Sequence, residues 1–146
     1  MKKFSTFAIA ALLSVSFLIP TNALAAGIPT TPDAVRTTST TTTVLDVTQV
    51  GINESVESKF FYINTPGTLL VDVTQSINKS YPAKASYLIV KPEPDGTATT
   101  WGGSTFEGNG SFSFTSKAPL PVGTYYIKMT SKELGRTSSK VTVTIP

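Results

Sequence analysis

Residues 67–75 read GTLLVDVTQ, and this stretch decides the fold class. Leu69, Val71 and Val73 share one face of an extended chain, whereas Asp72 lies on the other face. A period of two residues is typical of a β-strand with one buried face. The stretch therefore predicts a strand whose odd-numbered aliphatic side chains line a core.

Similar runs of β-branched, aromatic and aliphatic residues recur along the chain, separated by Gly, Pro, Asn and Asp, with no helical period. They predict eight strands, at residues 41–50, 58–63, 67–75, 85–91, 97–101, 110–116, 124–130 and 140–145. Short strands with tight turns predict an all-β fold, an antiparallel β-sandwich of the jelly-roll kind. A closed β-barrel is the alternative, because strand number alone does not separate closure from two packed sheets.

The same alternation assigns inner faces in the later strands. The side chains predicted to point inward are Leu88, Phe112, Phe114, Tyr125, Ile127, Met129, Val141, Val143 and Ile145. Their neighbours along each strand, Tyr126 among them, are then expected on the solvent side.

The first 25 residues have the three parts of a signal peptide. Lys2 and Lys3 form a basic start, an uncharged apolar run follows at residues 4–19, and an Ala-x-Ala site ends at Ala25. We predict cleavage between Ala25 and Ala26, and hence a secreted, extracellular protein without membrane association afterwards. An uncleaved anchor is less favoured, because the run is shorter than the roughly 20 apolar residues that span a bilayer.

The segment after the cleavage site is rich in Thr, Pro and Ser. Residues 26–40 lack the apolar side chains of a core and predict a flexible or extended leader. Because Thr is β-branched, the end of this run also favours the start of the first strand, with the change near Thr41. Residues 41–146 then form the β-sandwich domain.

The charge balance argues against nucleic acid as a partner. The chain has 12 Lys and Arg against 9 Asp and Glu, and loss of Lys2 and Lys3 with the signal peptide leaves 10 against 9. A protein that binds nucleic acid needs a basic patch to neutralise phosphates. The near-neutral balance therefore predicts a different class of partner.

Residue usage also argues against catalysis. The chain has no Cys and no His, which excludes thiol chemistry, Ser-His arrangements and the commonest zinc ligands. Asp72 and Glu107 are the only carboxylates that we considered as a glycosidase pair, and nothing in the sequence brings them together. We predict a protein that is not an enzyme and has no cofactor or metal.

Three segments carry a resemblance to a known family. They are FFYINTPGTLLVDV at residues 60–73, SYLIV at 86–90 followed by PDGT at 94–97, and LPVGTYYIKM at 120–129. In order and spacing they resemble the bacterial pre-peptidase C-terminal domain, over residues 60–145. The resemblance implies a β-sandwich accessory module that binds carbohydrate or protein and does no catalysis.

The chain departs from that family in two respects. The family often has acidic residues before its Leu-x-Leu strand, where a subset binds calcium, whereas this chain has Lys84 to Tyr87 there. This difference puts a calcium site in doubt. In addition, no peptidase precedes the domain in this sequence.

Aromatic residues are the candidate binding groups. Trp101, followed by Gly102-Gly103, is predicted at a strand end beside a flexible loop that continues through Phe106. Tyr87 and Tyr126 are predicted on the polar sides of their strands. These four rings would form a face on which a sugar ring or an apolar partner side chain can stack. The alternative is that Trp101 closes one end of the core and the tyrosines cover strand edges.

The sequence therefore predicts a secreted, non-catalytic binding module that recognises polysaccharide or an extracellular protein. A second class of function is a stand-alone secreted effector, such as an antimicrobial, an inhibitor or a matrix protein that associates through an exposed edge strand. The two classes differ in whether the protein forms oligomers or binds sugar.

Overall fold

The computed structural model describes residues 38–78 and 81–146. Nearly all of these residues belong to strands or to the short turns between them. The strands are β1 (Thr40–Val50), β2 (Ser55–Glu57), β3 (Phe61–Ile63), β4 (Leu70–Ile77), β5 (Lys84–Pro92), β6 (Ala98–Glu107), β7 (Gly110–Thr115), β8 (Gly123–Ser131) and β9 (Thr137–Ile145). The predicted signal peptide, its cleavage site at Ala25 and Ala26, and most of the leader lie outside the described residues.

The strands form two antiparallel sheets that pack face to face. The first sheet has the order β1-β9-β4-β7. The second has the order β2-β8-β5-β6, and β3 also pairs with β8. With β2 and β3 counted as one interrupted strand, eight strands have the jelly-roll order, in which consecutive strands lie in opposite sheets except for the β5–β6 hairpin. The predicted sandwich is confirmed, and the alternative of a closed barrel is wrong, because among the described strands each sheet keeps two edges.

The core lies between the sheets and is built as the alternation predicts. On β4 and in the residue before it, Leu69, Val71 and Val73 are buried, and on β8 Tyr125 and Ile127 are fully buried. Met129, Val141 and Val143 complete this central layer. Each such side chain contributes about 1.5–3 kcal/mol by leaving water.

The predicted orientation of β5 is wrong. Tyr87 is fully buried between the sheets, while Leu88 is half-buried on the outer face. The reason is that Ala85, Tyr87 and Ile89 form the inner face, and the Tyr87 hydroxyl finds partners inside the core. The sequence run SYLIV is apolar on both faces, so alternation alone does not show which face of β5 is buried.

Of the predicted second strand, at residues 58–63, only Phe61–Ile63 forms a strand, and the short strand β2 precedes the predicted range. The Ser58 hydroxyl accepts a hydrogen bond of 2.9 Å from the backbone N–H of Ile127, in place of a strand carbonyl. The next residue turns away, and the Lys59 N–H donates to the carbonyl of Val44 on β1 at 3.0 Å. This bond joins the edges of the two sheets and closes one side of the sandwich.

The strand predicted at 97–101 continues to Glu107. A bulge lies at Trp101, since Ile89 pairs with Gly102 whereas Val90 pairs with Thr100. Gly102 continues the strand because its lack of a side chain lets the backbone after β7 approach closely. A Cβ there would lie 3.2 Å from the backbone of Ser116. The loop predicted after Trp101 is therefore part of a strand.

Phe112 and Phe114 occupy edge strand β7 and point inward onto Phe106, as predicted, but they are only half-buried. An edge strand has a neighbour on one side only, so its inward side chains keep some contact with water.

Within residues 38–78 and 81–146, the structure contains no helix long and apolar enough to cross a bilayer.

Candidate functional site

The four aromatic residues predicted as a binding face do not come together. Tyr87 and Phe106 point into the space between the sheets, whereas Tyr126 lies on the outer face of its sheet. Trp101 lies at the bulge in edge strand β6 and packs partly against the core. A single ligand therefore has no surface on which it touches all four rings.

Tyr87 is a structural residue of the core. Its hydroxyl donates to Oε1 of Gln75 at 3.0 Å and lies 2.9 Å from Oγ of Ser139, and all three side chains are buried. Burial raises the pKa of Tyr87 to about 12, and the hydrogen bond with Ser139 opposes the shift. The expectation that Tyr87 faces solvent is wrong, and the buried ring offers no surface to a ligand.

Phe106 packs in an aromatic cluster between the two sheets. Its ring stacks on Phe112 with centroids 4.8 Å apart, and Tyr87 and Phe114 lie at 6.1 and 6.0 Å. The loop position predicted for Phe106 is wrong, because β6 extends through it. The cluster fills the side of the sandwich where β6 crosses to β7.

Trp101 closes the same side of the sandwich as the Phe106 cluster, but it lies nearer the start of β6. Its carbonyl accepts a hydrogen bond of 3.2 Å from the Lys117 N–H, which follows β7. The indole Nε1 is buried and has no acceptor among the described residues. This geometry favours the alternative in which Trp101 completes the core.

Tyr126 lies on the outer face, as predicted, but another ring covers it. Phe60 packs edge-on against it, with centroids 5.6 Å apart, and leaves Tyr126 only 9% exposed. Burial, and then the carboxylate of Glu57, raise the pKa of Tyr126. The residue therefore supports a neighbouring ring and contributes little surface of its own.

Sequence reasoning missed the most exposed aromatic residues, which lie at the edge of this sheet. Phe60 is 63% exposed and Tyr62 51% exposed. Tyr62 pairs with Thr124 on β8, two residues from Tyr126 on the same face. We call Phe60, Tyr62 and Tyr126 the aromatic platform. The signal was present in the sequence, because Phe61 and Ile63 point inward and alternation places their neighbours outside.

A row of hydroxyl groups crosses the same outer face beside the platform. Ser55 on β2 lies 2.8 Å from Thr130 on β8, measured between side-chain oxygens. Ser86 on β5 lies 2.7 Å from Thr105 on β6 in the same way, and Ser86 pairs with Thr130 in the ladder. The face therefore combines exposed rings with donors and acceptors spread over four strands.

Asp72 and Glu107, the two carboxylates weighed as a glycosidase pair, do not come together. Asp72 accepts a hydrogen bond of 2.6 Å from Ser113, and Glu107 forms a salt bridge of 2.8 Å with Lys84. These two carboxylates belong to strands of different sheets. No cluster of three or more Asp, Glu, His or Cys side chains occurs in the described part of the chain.

No family model matches this chain, and no curated protein is similar to it. The resemblance to the pre-peptidase C-terminal domain therefore stays a prediction.

Solved structures resemble the chain at low identity. A crystal structure from Sulfurospirillum deleyianum has a TM-score of 0.45 at 12% identity and covers 75% of this chain and 98% of that one. A structure described as CBM4 has a TM-score of 0.42 at 15% identity, covering 75% and 68%. The infectious bursal disease virus Gt strain has a TM-score of 0.46 at 14% identity, covering 76% and 33%. At these scores the likenesses carry no argument about function.

Proposed function

We propose that this protein is a secreted, non-catalytic module that binds polysaccharide through the aromatic platform. The observation that carries the proposal is the exposure of Phe60 and Tyr62, side by side with Tyr126 on one face of a sheet. Large rings are normally covered in a folded domain, and an exposed cluster marks an interaction surface.

The chemistry of this face suits a sugar chain. The apolar face of a pyranose ring packs against an aromatic ring, while its hydroxyls need hydrogen-bond partners. The platform supplies the rings, and the Ser55–Thr130 and Ser86–Thr105 pairs supply hydroxyls on the same face. A protein partner would need an apolar centre enclosed by a rim, whereas here the rings share one face with a row of hydroxyl groups farther along β8.

The platform is held rigidly, which lowers the entropic cost of binding. Phe61, between the two exposed rings, is buried and stacks on Tyr125 at 6.2 Å. Ser58 and Lys59, just before Phe60, are fixed by backbone bonds to Ile127 and Val44. The exposed rings therefore stand on a segment that is anchored on both sides.

Export is the part of the proposal that rests on sequence. The basic start, apolar run and Ala-x-Ala site of residues 1–25 support secretion. A polysaccharide partner fits that compartment, because cell walls and extracellular matrices are the surfaces that a secreted module meets.

Association through sheet edges is less well supported as the main activity. The two longest edge strands, β1 and β6, both contain bulges, at Val44 and at Trp101. Bulges twist an edge away from regular pairing and are a common protection against edge-to-edge association. An effector that polymerises through these edges would have to pair across the irregularities.

The proposal is tested by retention of the secreted chain on insoluble cellulose, chitin and cell-wall preparations. We expect retention on at least one matrix, and a loss of tenfold or more when Phe60 and Tyr62 are both replaced by Ala. Tyr81→Ala is the matched control, because Tyr81 is 49% exposed outside the platform. Retention that survives the double substitution, or no retention of the wild type, would contradict the proposal.

A further inference from the structure

A polar pocket lies at the end of β1, away from the aromatic platform. Its volume is about 690 Å³, which falls within the usual range of ligand sites. It is lined by Thr48, Gln49, Asn78, Gly135, Arg136 and Ser138. The guanidinium, the two amides and the two hydroxyls among these residues can bind the polar groups of a hydroxylated or charged ligand.

The pocket is formed by a bulge in β1. Val47 pairs with Ser139 and Val50 pairs with Thr137, so Thr48 and Gln49 together oppose Ser138 alone. The extra residue shifts the phase of the strand and turns Val50 into the core, where it is 4% exposed. The bulge therefore has a structural role, and it also pushes two polar side chains outward.

The residue type at the bulge is not explained by packing. Gln49 has a φ of 61°, in the left-handed region that Gly and Asn adopt most readily. Its side chain is exposed and makes no hydrogen bond within the described part of the chain that would offset the energetic cost of this backbone conformation. Unfavourable backbone conformations of this kind occur frequently at ligand sites.

Arg136 gives the pocket a positive charge. It is exposed on the β8–β9 turn, and no carboxylate among the described residues pairs with it. Asp46, the acidic residue of the adjoining surface, pairs in register with Lys140 on β9. The guanidinium is thus available for a planar anion, which it can hold with two parallel hydrogen bonds.

The pocket continues as a shallow groove onto the outer face of the first sheet. This second depression, of about 160 Å³, shares Thr48 and Ser138 with the pocket and adds Thr74 and Ser76. Besides these hydroxyls, Asp46 and Lys140 line the groove, and these two opposite charges pair in register. A groove with hydroxyls that leads to an arginine fits an extended, hydroxylated chain with an acidic unit. An apolar ligand would leave these polar groups without partners.

We propose that this pocket binds a uronic acid unit of an acidic polysaccharide. Arg136 pairs with the carboxylate, and the amides of Gln49 and Asn78 bond to the sugar hydroxyls. The inference rests on the proposed function and specifies its ligand, because it gives the module a preference for acidic over neutral chains. The platform supplies stacking for either kind of chain.

The test compares polygalacturonate with its fully methyl-esterified form, by calorimetry on the secreted chain. We expect the acid to bind about tenfold more tightly, as a charge-assisted hydrogen bond provides. Arg136→Gln should remove this preference, and Arg136→Lys should restore part of it. Lys132→Gln, on the same turn, is the control that removes an equal charge outside the pocket.

The outcomes separate this inference from the proposed function. Equal binding of the acid and the ester by the wild type, or a preference that survives Arg136→Gln, would overturn the pocket proposal alone. Loss of preference in the Lys132→Gln control as well would also overturn it, because net charge would then explain the effect. If neither polymer binds, the pocket proposal fails, and retention on neutral matrices decides the platform proposal separately.

Discussion

The hydroxyl of Tyr87 on β5 donates a hydrogen bond of 3.0 Å to Oε1 of Gln75 on β4, so a polar link crosses the core between the two sheets. Gln75 in turn donates from Nε2 to the carbonyls of Gly108 and Phe106, at 2.9 and 3.2 Å. The amide therefore fixes the corner at which β6 passes to β7. Buried networks of this kind specify one arrangement of a core when every member is bonded.

Replacing Tyr87 by Phe should destabilise the protein more than the loss of one oxygen suggests. The change leaves the buried Oε1 of Gln75 without its donor, and it removes the hydroxyl to which the buried Ser139 side chain is bonded. We expect the free energy of unfolding to fall by about 1–3 kcal/mol. Urea denaturation measures it, with Tyr62→Phe as the exposed control. A loss no larger than that of the control would show that the network contributes nothing.

Burial of Tyr87 also gives stability a dependence on high pH. Burial raises the pKa of Tyr87 from its ordinary value near 10 to about 12, so the folded protein holds the proton more tightly than the unfolded chain. The corresponding stability is fully present below pH 10 and is lost as pH rises through 12. Burial shifts the pKa values of Tyr125 and Tyr126 in the same direction.

We therefore expect the urea midpoint to fall steadily between pH 10 and pH 12, with a smaller fall in Tyr87→Phe. The comparison is made at constant ionic strength, so that surface charges are screened equally in both proteins. Parallel curves for the two proteins would show that Tyr87 does not cause the effect.

The parts of the fold that the sequence predicts are those with clean alternation. Residues 71–75 alternate, with Asp72 and Thr74 on the polar face, and their buried face is as expected. Residues 86–90 contain three consecutive aliphatic residues after a Tyr, so either phase satisfies the pattern, and only the partners of the Tyr87 hydroxyl decide between them. Such partners come from strands distant in the chain, which local pattern does not reveal.

Alternation along the sequence is also sufficient to predict the aromatic platform. Once Phe61 and Ile63 are assigned to the core, Phe60 and Tyr62 must face outward. What the sequence does not reveal is the interruption at Ser58, since a serine in a strand gives no sign that its hydroxyl replaces a ladder carbonyl. The pocket at Gln49 is equally hidden, because a bulge depends on the register with β9.

Ser58→Ala should weaken both the fold and the platform. The substitution removes the acceptor of the buried Ile127 N–H, and an unsatisfied buried donor costs about 1–3 kcal/mol. Because Ser58 also fixes the segment before Phe60, we expect weaker retention on polysaccharide at temperatures well below unfolding. Calorimetry of unfolding and a matrix-binding assay measure the two effects.

The matched control for this change is Ser113→Ala on the first sheet, where the Ser113 hydroxyl bonds to half-buried Asp72 on the neighbouring strand. Its cost should stay within about 0.5 kcal/mol, as is usual for surface substitutions. If both serine variants behave alike in unfolding and binding, Ser58 has no special role.

Substitutions at Trp101 and at Phe60 should affect stability and binding in opposite orders. Trp101→Ala removes a ring that packs against the core and closes the β6 side of the sandwich, so we expect a loss of about 3 kcal/mol. Phe60→Ala removes a ring that is 63% exposed and should cost much less stability. Binding should show the reverse order, because only Phe60 belongs to the platform.

Trp101→Phe makes this test independent of folding. It keeps a ring at the bulge and eliminates the buried Nε1, which has no acceptor among the described residues, so the lost packing is partly offset. We expect near-native unfolding temperature and unchanged retention on polysaccharide. Weaker retention in a stable Trp101→Phe protein would assign the ligand to the β6 edge and not to the platform, because the substitution leaves Phe60 and Tyr62 in place.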